Sequence, residues 1–74
     1  MEREDVRPEQ IAVGQVWRAG DGFSRKITSV VHGDVYFDGR QANGLVIAGR
    51  LPLNTLVEII NGDNEELIDG ALAN

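Results

Sequence analysis

Cysteine is absent from the chain, and histidine occurs once, as His32. Without cysteine the protein has no disulfide, no thiolate ligand for a metal and no thiol nucleophile, a composition typical of a reducing compartment. A single imidazole falls short of the set of nitrogen and sulfur ligands that a protein zinc site requires. We therefore predict no metal site and no cofactor.

Long hydrophobic runs are also missing. The longest uninterrupted apolar stretches span only a few residues, whereas a membrane-spanning helix needs about 20. The amino-terminal stretch MEREDVRPEQ carries too many charges for a secretory signal. These absences predict a cytoplasmic protein with no membrane partner.

Catalytic side chains are scarce as well. Nucleophilic catalysis needs a serine or cysteine beside a histidine that a carboxylate orients, a role for which the centre of the chain offers only Ser24, Ser29, His32 and Asp34. His32 and Asp34 flank Gly33, which is typical of a hairpin tip. A chain of 74 residues buries only about 60% of its unfolded surface, too little for a deep cleft. We predict no catalytic residues, and a protein that is not an enzyme.

The negative charge is concentrated at the two ends of the chain. The net charge is −5, yet residues 10–60 carry five basic and four acidic side chains. Residues 1–9 show no apolar periodicity and predict a flexible acidic segment, followed by one domain over residues 10–61. Residues 62–74 form an acidic tail with two alternative predictions, disorder or one short helix that begins at Asn64.

Short β-forming stretches separated by glycines fill the central domain. Helical turns are predicted at PEQI, where Pro8 presets one backbone angle, and at PLNTL, before the last strand, because Pro52 cannot donate to a strand ladder. Five short strands with one helical turn before the last are typical of an all-β fold, a small curled barrel. The predicted strands span residues 15–19, 23–31, 35–39, 45–48 and 57–60.

Alternation along the strands predicts which side chains enter the core. In the first strand Val16 and Trp17 point to opposite faces, so both cannot enter one small core. The second strand alternates imperfectly, which indicates a bulge. Gly33 then predicts a tight hairpin turn, after which Tyr36 faces outward. The predicted core of this hairpin consists of Ile27, Val31, Val35 and Phe37.

Three stretches, VGQVWR, RKITSVVHGDVYF and GRLPLNTLVEI, follow one another in an order that resembles small SH3-like barrel proteins encoded by phages, prophages and bacteria. Many of those proteins open with a Gly-x-Val-Trp strand and continue with an Arg-x-Ile-x-x-Val strand into a hairpin. The resemblance covers residues 11–60. It implies a five-stranded SH3-like barrel and a mobile-element origin, and it implies no particular activity because most such proteins have none assigned.

Binding of another protein is the function that we favour from the sequence. A five-stranded barrel with one incompletely covered edge can accept a partner strand or an apolar anchor, and Trp, Tyr and Arg are enriched at the energetic centres of protein interfaces. The resemblance to phage proteins implies a host protein as the partner. The predicted binding residues are Trp17, Arg18, Tyr36 and Arg40.

Two alternatives stay open. Small barrels bind single-stranded nucleic acid when aromatic side chains for stacking lie beside basic ones. The candidates for that arrangement are the aromatic residues Trp17, Phe23 and Tyr36 and the basic residues Arg18, Arg25, Lys26 and Arg40. A central region with only one excess positive charge attracts phosphates weakly, however. The second alternative is self-association through an edge strand, which predicts a monomer or a weak homodimer.

Overall fold

The computed structural model describes residues 4–73. One α-helix, α1 (Leu53–Gly62), precedes the last strand, and a short 3-10 turn over Pro8–Gln10 precedes the first. The strands form a single antiparallel sheet in the order β4-β3-β2-β1-β5 that does not close on itself. The protein is therefore small and mostly β, as predicted, but its sheet is open. The five strands are β1 (Val16–Arg18), β2 (Ser24–Val31), β3 (Asp34–Arg40), β4 (Val46–Pro52) and β5 (Glu66–Asp69).

The hairpin between β2 and β3 is the best-predicted part of the chain. His32 and Gly33 both have positive φ angles, 50° and 80°, as a two-residue turn between twisted strands requires. Val35 and Phe37 are buried, as predicted, and so is Ile27. The register shifts between Ile27 and Ser29, which confirms the bulge. Because that bulge reverses the alternation, Val31 is 44% exposed and its predicted place in the core is wrong.

Residues 57–60, predicted as the last strand, lie within α1 instead. Leu53, Leu56, Val57 and Ile60 recur with the spacing of one helical face, and the last three are buried against the sheet. The four residues VEII, taken alone, favour a strand because valine and isoleucine are β-branched. The apolar spacing from Leu53 to Ile60 favours a helix instead. The helix before the last strand is therefore confirmed in position and longer than the single turn that was predicted.

The fifth strand comes from the acidic tail. β5 pairs antiparallel with β1, with Leu67 opposite Trp17 and Glu66 opposite Arg18. The prediction of disorder or a short helix is wrong for the described part of residues 62–74, while residue 74 lies outside it. Tail residues become a strand because β1 pairs with β2 on one side and offers its other edge to β5. Beyond β5, the Ala73 N–H donates to the carbonyl of Gln10 at 2.9 Å.

The amino-terminal segment is attached from Val6 onward. The side-chain amide of Asn61 binds the backbone of Val6 twice, accepting from its N–H at 2.8 Å and donating to its carbonyl at 2.9 Å. Val6 is only 6% exposed and belongs to the core. The flexible segment predicted over residues 1–9 is therefore wrong for Val6, and its first three residues lie outside the described part.

Trp17 lies in the core and is 1% exposed. Its indole N–H donates to Oε1 of Gln15 at 3.1 Å, so the one polar atom of the ring is satisfied inside the protein. Gln15 is equally buried, and its Nε2 donates to the carbonyls of Gln10 and Ala71. Val16 and Trp17 point to opposite faces, as predicted, but Trp17 takes the covered one. It is therefore not available as a binding residue, which corrects the prediction.

A buried ion pair joins β2 to the residue before β5. Nη1 of Arg25 donates to both carboxylate oxygens of Glu65, at 2.8 and 2.7 Å. The Glu65 side chain is fully buried and that of Arg25 is 12% exposed. The guanidinium also lies 4.8 Å from the ring centroid of Phe23 and 5.6 Å from that of Phe37. This pair holds the end of α1 and the start of β5 against the centre of the sheet.

Candidate functional site

One face of the sheet packs against α1, and no helix or strand of residues 4–73 covers the other face, which we call the open face. Because neighbouring side chains on a strand point to opposite faces, the residues that alternate with buried Trp17, Val35 and Phe37 lie on it. The open face consists of Val16, Arg18, Ser24, Lys26, Ser29, Val31, Asp34, Tyr36, Asp38, Arg40, Val46, Ala48, Arg50, Pro52 and Glu66.

Three of the four predicted binding residues lie on the open face. Arg18 and Arg40 are each directly opposite Ser24, so they lie in one row across β1, β2 and β3. Tyr36 lies further along β3, on the same face, and is half-buried. The structure thus brings Arg18, Tyr36 and Arg40 together on one surface and places Trp17 on the other side of the sheet.

Two more cations belong to this surface: Lys26, which was predicted only as a phosphate contact, and Arg50, which was missed from the sequence. Lys26 lies opposite Asp38, and Arg50 lies opposite Tyr36. Both are exposed. The alternation of β2 places Lys26 on this face. Arg50 is placed there by the pairing of β3 with β4, whose register depends on the loop between these strands.

The basic side chains of the open face differ in how they are compensated. Arg18 forms an ion pair with Glu66 at 3.0 Å, whereas Lys26, Arg40 and Arg50 form none with any residue between 4 and 73. The Arg50 guanidinium lies 6.0 Å from the ring centroid of Tyr36. Hydrogen bonding to the Tyr36 side chain, and then the charges of that group and of Asp34, raise the pKa of Arg50 above its ordinary value. Arg50 is therefore a permanent cation beside an aromatic ring.

A shallow depression of about 430 Å³ crosses the middle of the open face. Lys26 and Arg40 supply its positive charge, Asp38 supplies a negative one, and Val16 and Val46 supply apolar surface at its two sides. Such a mixed lining suits a partner that brings a carboxylate together with an apolar group, because each of these would find its counterpart within a few ångströms.

The groups considered for catalysis are not assembled into a catalytic arrangement. His32 is exposed in the turn between β2 and β3, and neither Ser24 nor Ser29 is hydrogen-bonded to it within the described chain. Among residues 4–73 no cluster of three or more His, Cys, Asp or Glu side chains could hold a metal ion. In the same part of the chain no helix is long and apolar enough to cross a bilayer.

The second exposed feature is the outer edge of β4, which within the described residues is bonded to β3 on one side only. Directly opposite residues of an antiparallel pair alternate between exchanging two hydrogen bonds and exchanging none. The Gln41 N–H donates to the Leu45 carbonyl at 2.9 Å, and the Leu53 N–H donates to the Gly33 carbonyl at 2.7 Å. Both bonds join directly opposite residues, so the odd-numbered positions from 45 to 53 are the ones that hydrogen-bond across the hairpin. The β4 residues that bond to β3 are therefore Ile47, Gly49 and Leu51.

The remaining β4 residues direct their backbone outward. The N–H and C=O groups of Val46, Ala48 and Arg50 point away from β3, and Pro52, next in the series, has no N–H to offer. β4 is seven residues long and carries Arg50 as its one charge. The other edge strand, β5, is four residues long with acidic residues at both ends. Short, charged strands resist edge pairing, so β4 is the unprotected edge.

Apolar side chains surround the free edge of β4 where the strand begins. Leu45, Val46 and Ile47 are 53%, 48% and 54% exposed. Val46 points to the open face, while Leu45 and Ile47 point to the covered face beyond the reach of α1. Consecutive exposed aliphatic residues next to unpaired backbone groups are typical of a surface that another chain covers.

No protein-family model, curated protein or solved structure matches the chain at a significant level. The open face and the free edge of β4 therefore carry the functional argument.

Proposed function

We propose that the protein is a non-enzymatic binding module that recognises another protein through the open face. The observation that carries the proposal is the set of three exposed cations, Lys26, Arg40 and Arg50, that share the open face with Tyr36 and form no ion pair within residues 4–73. Arginine and tyrosine are the residues that most often supply binding energy at protein interfaces. A partner surface with carboxylates beside an aliphatic side chain would complement this group and Val46.

Nucleic acid is a poorer match to the same surface. Binding of single strands depends on exposed aromatic rings for base stacking, and Trp17 and Phe37 are buried, which leaves Tyr36 as the ring on this face. Asp34 and Asp38 lie among the cations and would repel phosphates. A net charge of −5 adds a general repulsion. These features favour a protein partner, with nucleic acid as the alternative that the experiment must distinguish.

We also infer a relationship to the small SH3-like barrels of phages and bacteria. The consecutive pairing of β1 to β4, the helix before the last strand, and the return of β5 to β1 support it. On this proposal the protein is a phage or prophage accessory protein of the cytoplasm whose partner is a host protein.

The test is an amide-shift titration of the isotope-labelled protein with defined probes. We expect a peptide of alternating Glu and Leu to shift Tyr36, Arg40 and Arg50, and a Lys-Leu peptide of equal length to leave them unmoved. The shifts should weaken as salt rises, since exposed charges are screened beyond about 8 to 10 Å at physiological ionic strength. Shifts caused by single-stranded DNA and not by the acidic peptide would favour the nucleic-acid alternative.

Paired variants separate the open face from the overall charge. R40A should weaken binding of the acidic peptide several-fold. R7A makes the same change of charge at an exposed arginine in the amino-terminal segment and should leave binding unchanged. Equal effects of the two substitutions would contradict the proposed surface.

A further inference from the structure

We propose that two copies of the chain pair through their β4 strands in an antiparallel, two-fold symmetric arrangement centred on Ala48. This inference does not rest on the function proposed for the open face. It starts from the free edge, where Val46, Ala48 and Arg50 direct three N–H groups and three C=O groups outward. An extended strand of a second copy can satisfy all of them.

The symmetric register uses every outward group. With Ala48 opposite Ala48 of the second copy, Val46 lies opposite Arg50 and Arg50 opposite Val46, so each of these pairs exchanges two hydrogen bonds. The strand is bounded symmetrically around this centre. Gly44, with a φ of 90°, ends the loop four residues before Ala48, and Pro52 lies four residues after it. Pro52 lacks an N–H at the point where the pairing would stop, so no donor is left unsatisfied there.

The side chains on the covered face also fit this register. Ile47 would lie opposite Gly49 of the second copy, and Leu45 opposite Leu51. A Cβ atom on Gly49 would lie 2.7 Å from Cζ of Phe37, so the ring packs directly over that glycine. The second copy's Ile47, which is 54% exposed in the single chain, would cover the rim of that ring.

The charges near the seam are compatible with this register but do not drive the pairing. From Gly39 to Val57 the sequence contains no carboxylate, and its charges are those of Arg40 and Arg50. Placing Arg50 opposite Val46 keeps the two Arg50 guanidinium groups apart. A register that set Arg50 against Arg50 would put like charges in direct contact. Asp38 lies one strand from the seam, directly opposite Ala48 on β3.

The size of the seam sets the expected affinity. One pair of seven-residue strands with three aliphatic side chains on each copy buries less than the roughly 1,600 Å² of a standard stable interface. We therefore expect a reversible dimer that forms at about 100 μM or above. Such a dimer would place two open faces in one continuous sheet, which would allow bivalent binding.

Cysteine crosslinking tests both the pairing and its register, because the native chain has no cysteine. In the proposed register the two Cα atoms at position 48 are about 5.5 Å apart, a separation that a disulfide spans. In a glutathione redox buffer A48C should form covalent dimers much faster than I47C, which would face Gly49, and than A42C on the exposed loop. Equal rates for the three variants, or a faster rate for I47C, would overturn the proposal.

A proline variant supplies an independent measurement on the uncrosslinked protein. A48P removes an N–H that points outward and leaves the hydrogen bonds between β3 and β4 in place, so fluorescence of the buried Trp17 should confirm folding. Light scattering should show the wild type increasing in mass with concentration and A48P remaining a monomer. A wild type that stays monomeric at about 1 mM, or a folded A48P that still dimerises, would refute the pairing. The function proposed for the open face is tested separately, by the binding of a peptide to R40A and R7A.

Discussion

The buried pair of Arg25 and Glu65 allows a quantitative prediction with a control built into the next residue. Glu65→Gln keeps the size of the side chain and removes its charge, leaving the Arg25 guanidinium without its bidentate partner in a site where Glu65 is fully buried. Glu66→Gln makes the same chemical change one position later. There the arginine partner, Arg18, is 51% exposed and Glu66 is 68% exposed.

The two substitutions should differ strongly in cost. Removing one member of a buried ion pair typically costs about 3 to 5 kcal/mol, because the remaining charge stays desolvated. An exposed pair at 3.0 Å contributes about 0.2 to 1 kcal/mol. Nε of Arg25 is already buried without a hydrogen-bond partner among the described residues. The substitution would therefore leave still more of the buried guanidinium without a partner. A protein of 74 residues has a free energy of unfolding of roughly 4 to 11 kcal/mol, so Glu65→Gln should leave it marginally stable.

The assay is urea unfolding followed by the fluorescence of Trp17, which is 1% exposed and lies opposite Arg25 on the neighbouring strand. Urea is preferred to guanidinium chloride because it does not screen the ion pairs. A third variant separates loss of the pair from loss of packing. Replacing both partners, R25M with E65L, should restore most of the stability, since apolar substitutes for a buried pair are often neutral or stabilising.

Equal midpoints for Glu65→Gln and Glu66→Gln would refute this reasoning. That result would mean that water reaches the Arg25 guanidinium and that the pair behaves like an exposed one. A double variant no more stable than Glu65→Gln alone would show instead that the geometry of the charged groups, and not only their neutralisation, holds β5 in place.

Two further predictions concern packing and attachment. Gly49→Ala should destabilise the protein by about 1 to 3 kcal/mol, because its Cβ would lie 2.7 Å from the Phe37 ring. Gly62→Ala, whose Cβ meets nothing within 4 Å, should be neutral or mildly stabilising in the same urea assay. Asn61→Ala should cost about 1 to 3 kcal/mol by removing both hydrogen bonds to the backbone of Val6, and hydrogen exchange should then accelerate at the Val6 amide. Unchanged exchange there would contradict the attachment of the amino-terminal segment.

The parts of the fold that sequence analysis predicted correctly depend on contacts between near neighbours. The turn at His32 and Gly33 joins two strands that pair directly, so turn chemistry and alternation suffice to place Val35 and Phe37. The bulge near Ser29 was also indicated, but its effect on Val31 could be derived only from the pairing with β3. A single inserted residue changes the face of every residue after it, and local pattern does not record where the insertion falls.

The parts that were mispredicted depend on distant segments. The residues of β5 become a strand through pairing with β1, and Glu66 meets Arg18 across a separation of 48 residues. Alternation placed Trp17 and Val16 on opposite faces correctly. Which face is covered depends on where α1 packs, and that helix is formed by residues first assigned to a strand. The surface role predicted for Trp17 therefore failed, although Arg18, Tyr36 and Arg40 fell on one exposed face.

The two edges of the sheet differ because of the same buried ion pair. Arg25 binds Glu65, the residue immediately before β5, and so holds the tail beside β1. The strand at that edge is short and has an acidic residue at each end. No corresponding segment returns to β4 within residues 4–73. A strand added to β4 would extend the sheet without touching the Arg25 site, and it would bring a second charged surface beside Arg50 and Tyr36. Pairing at the edge and recognition at the open face should therefore strengthen each other when the ligand carries two acidic sites. This gain in affinity should be lost in A48P, and a ligand with one acidic site should bind the wild type and A48P equally.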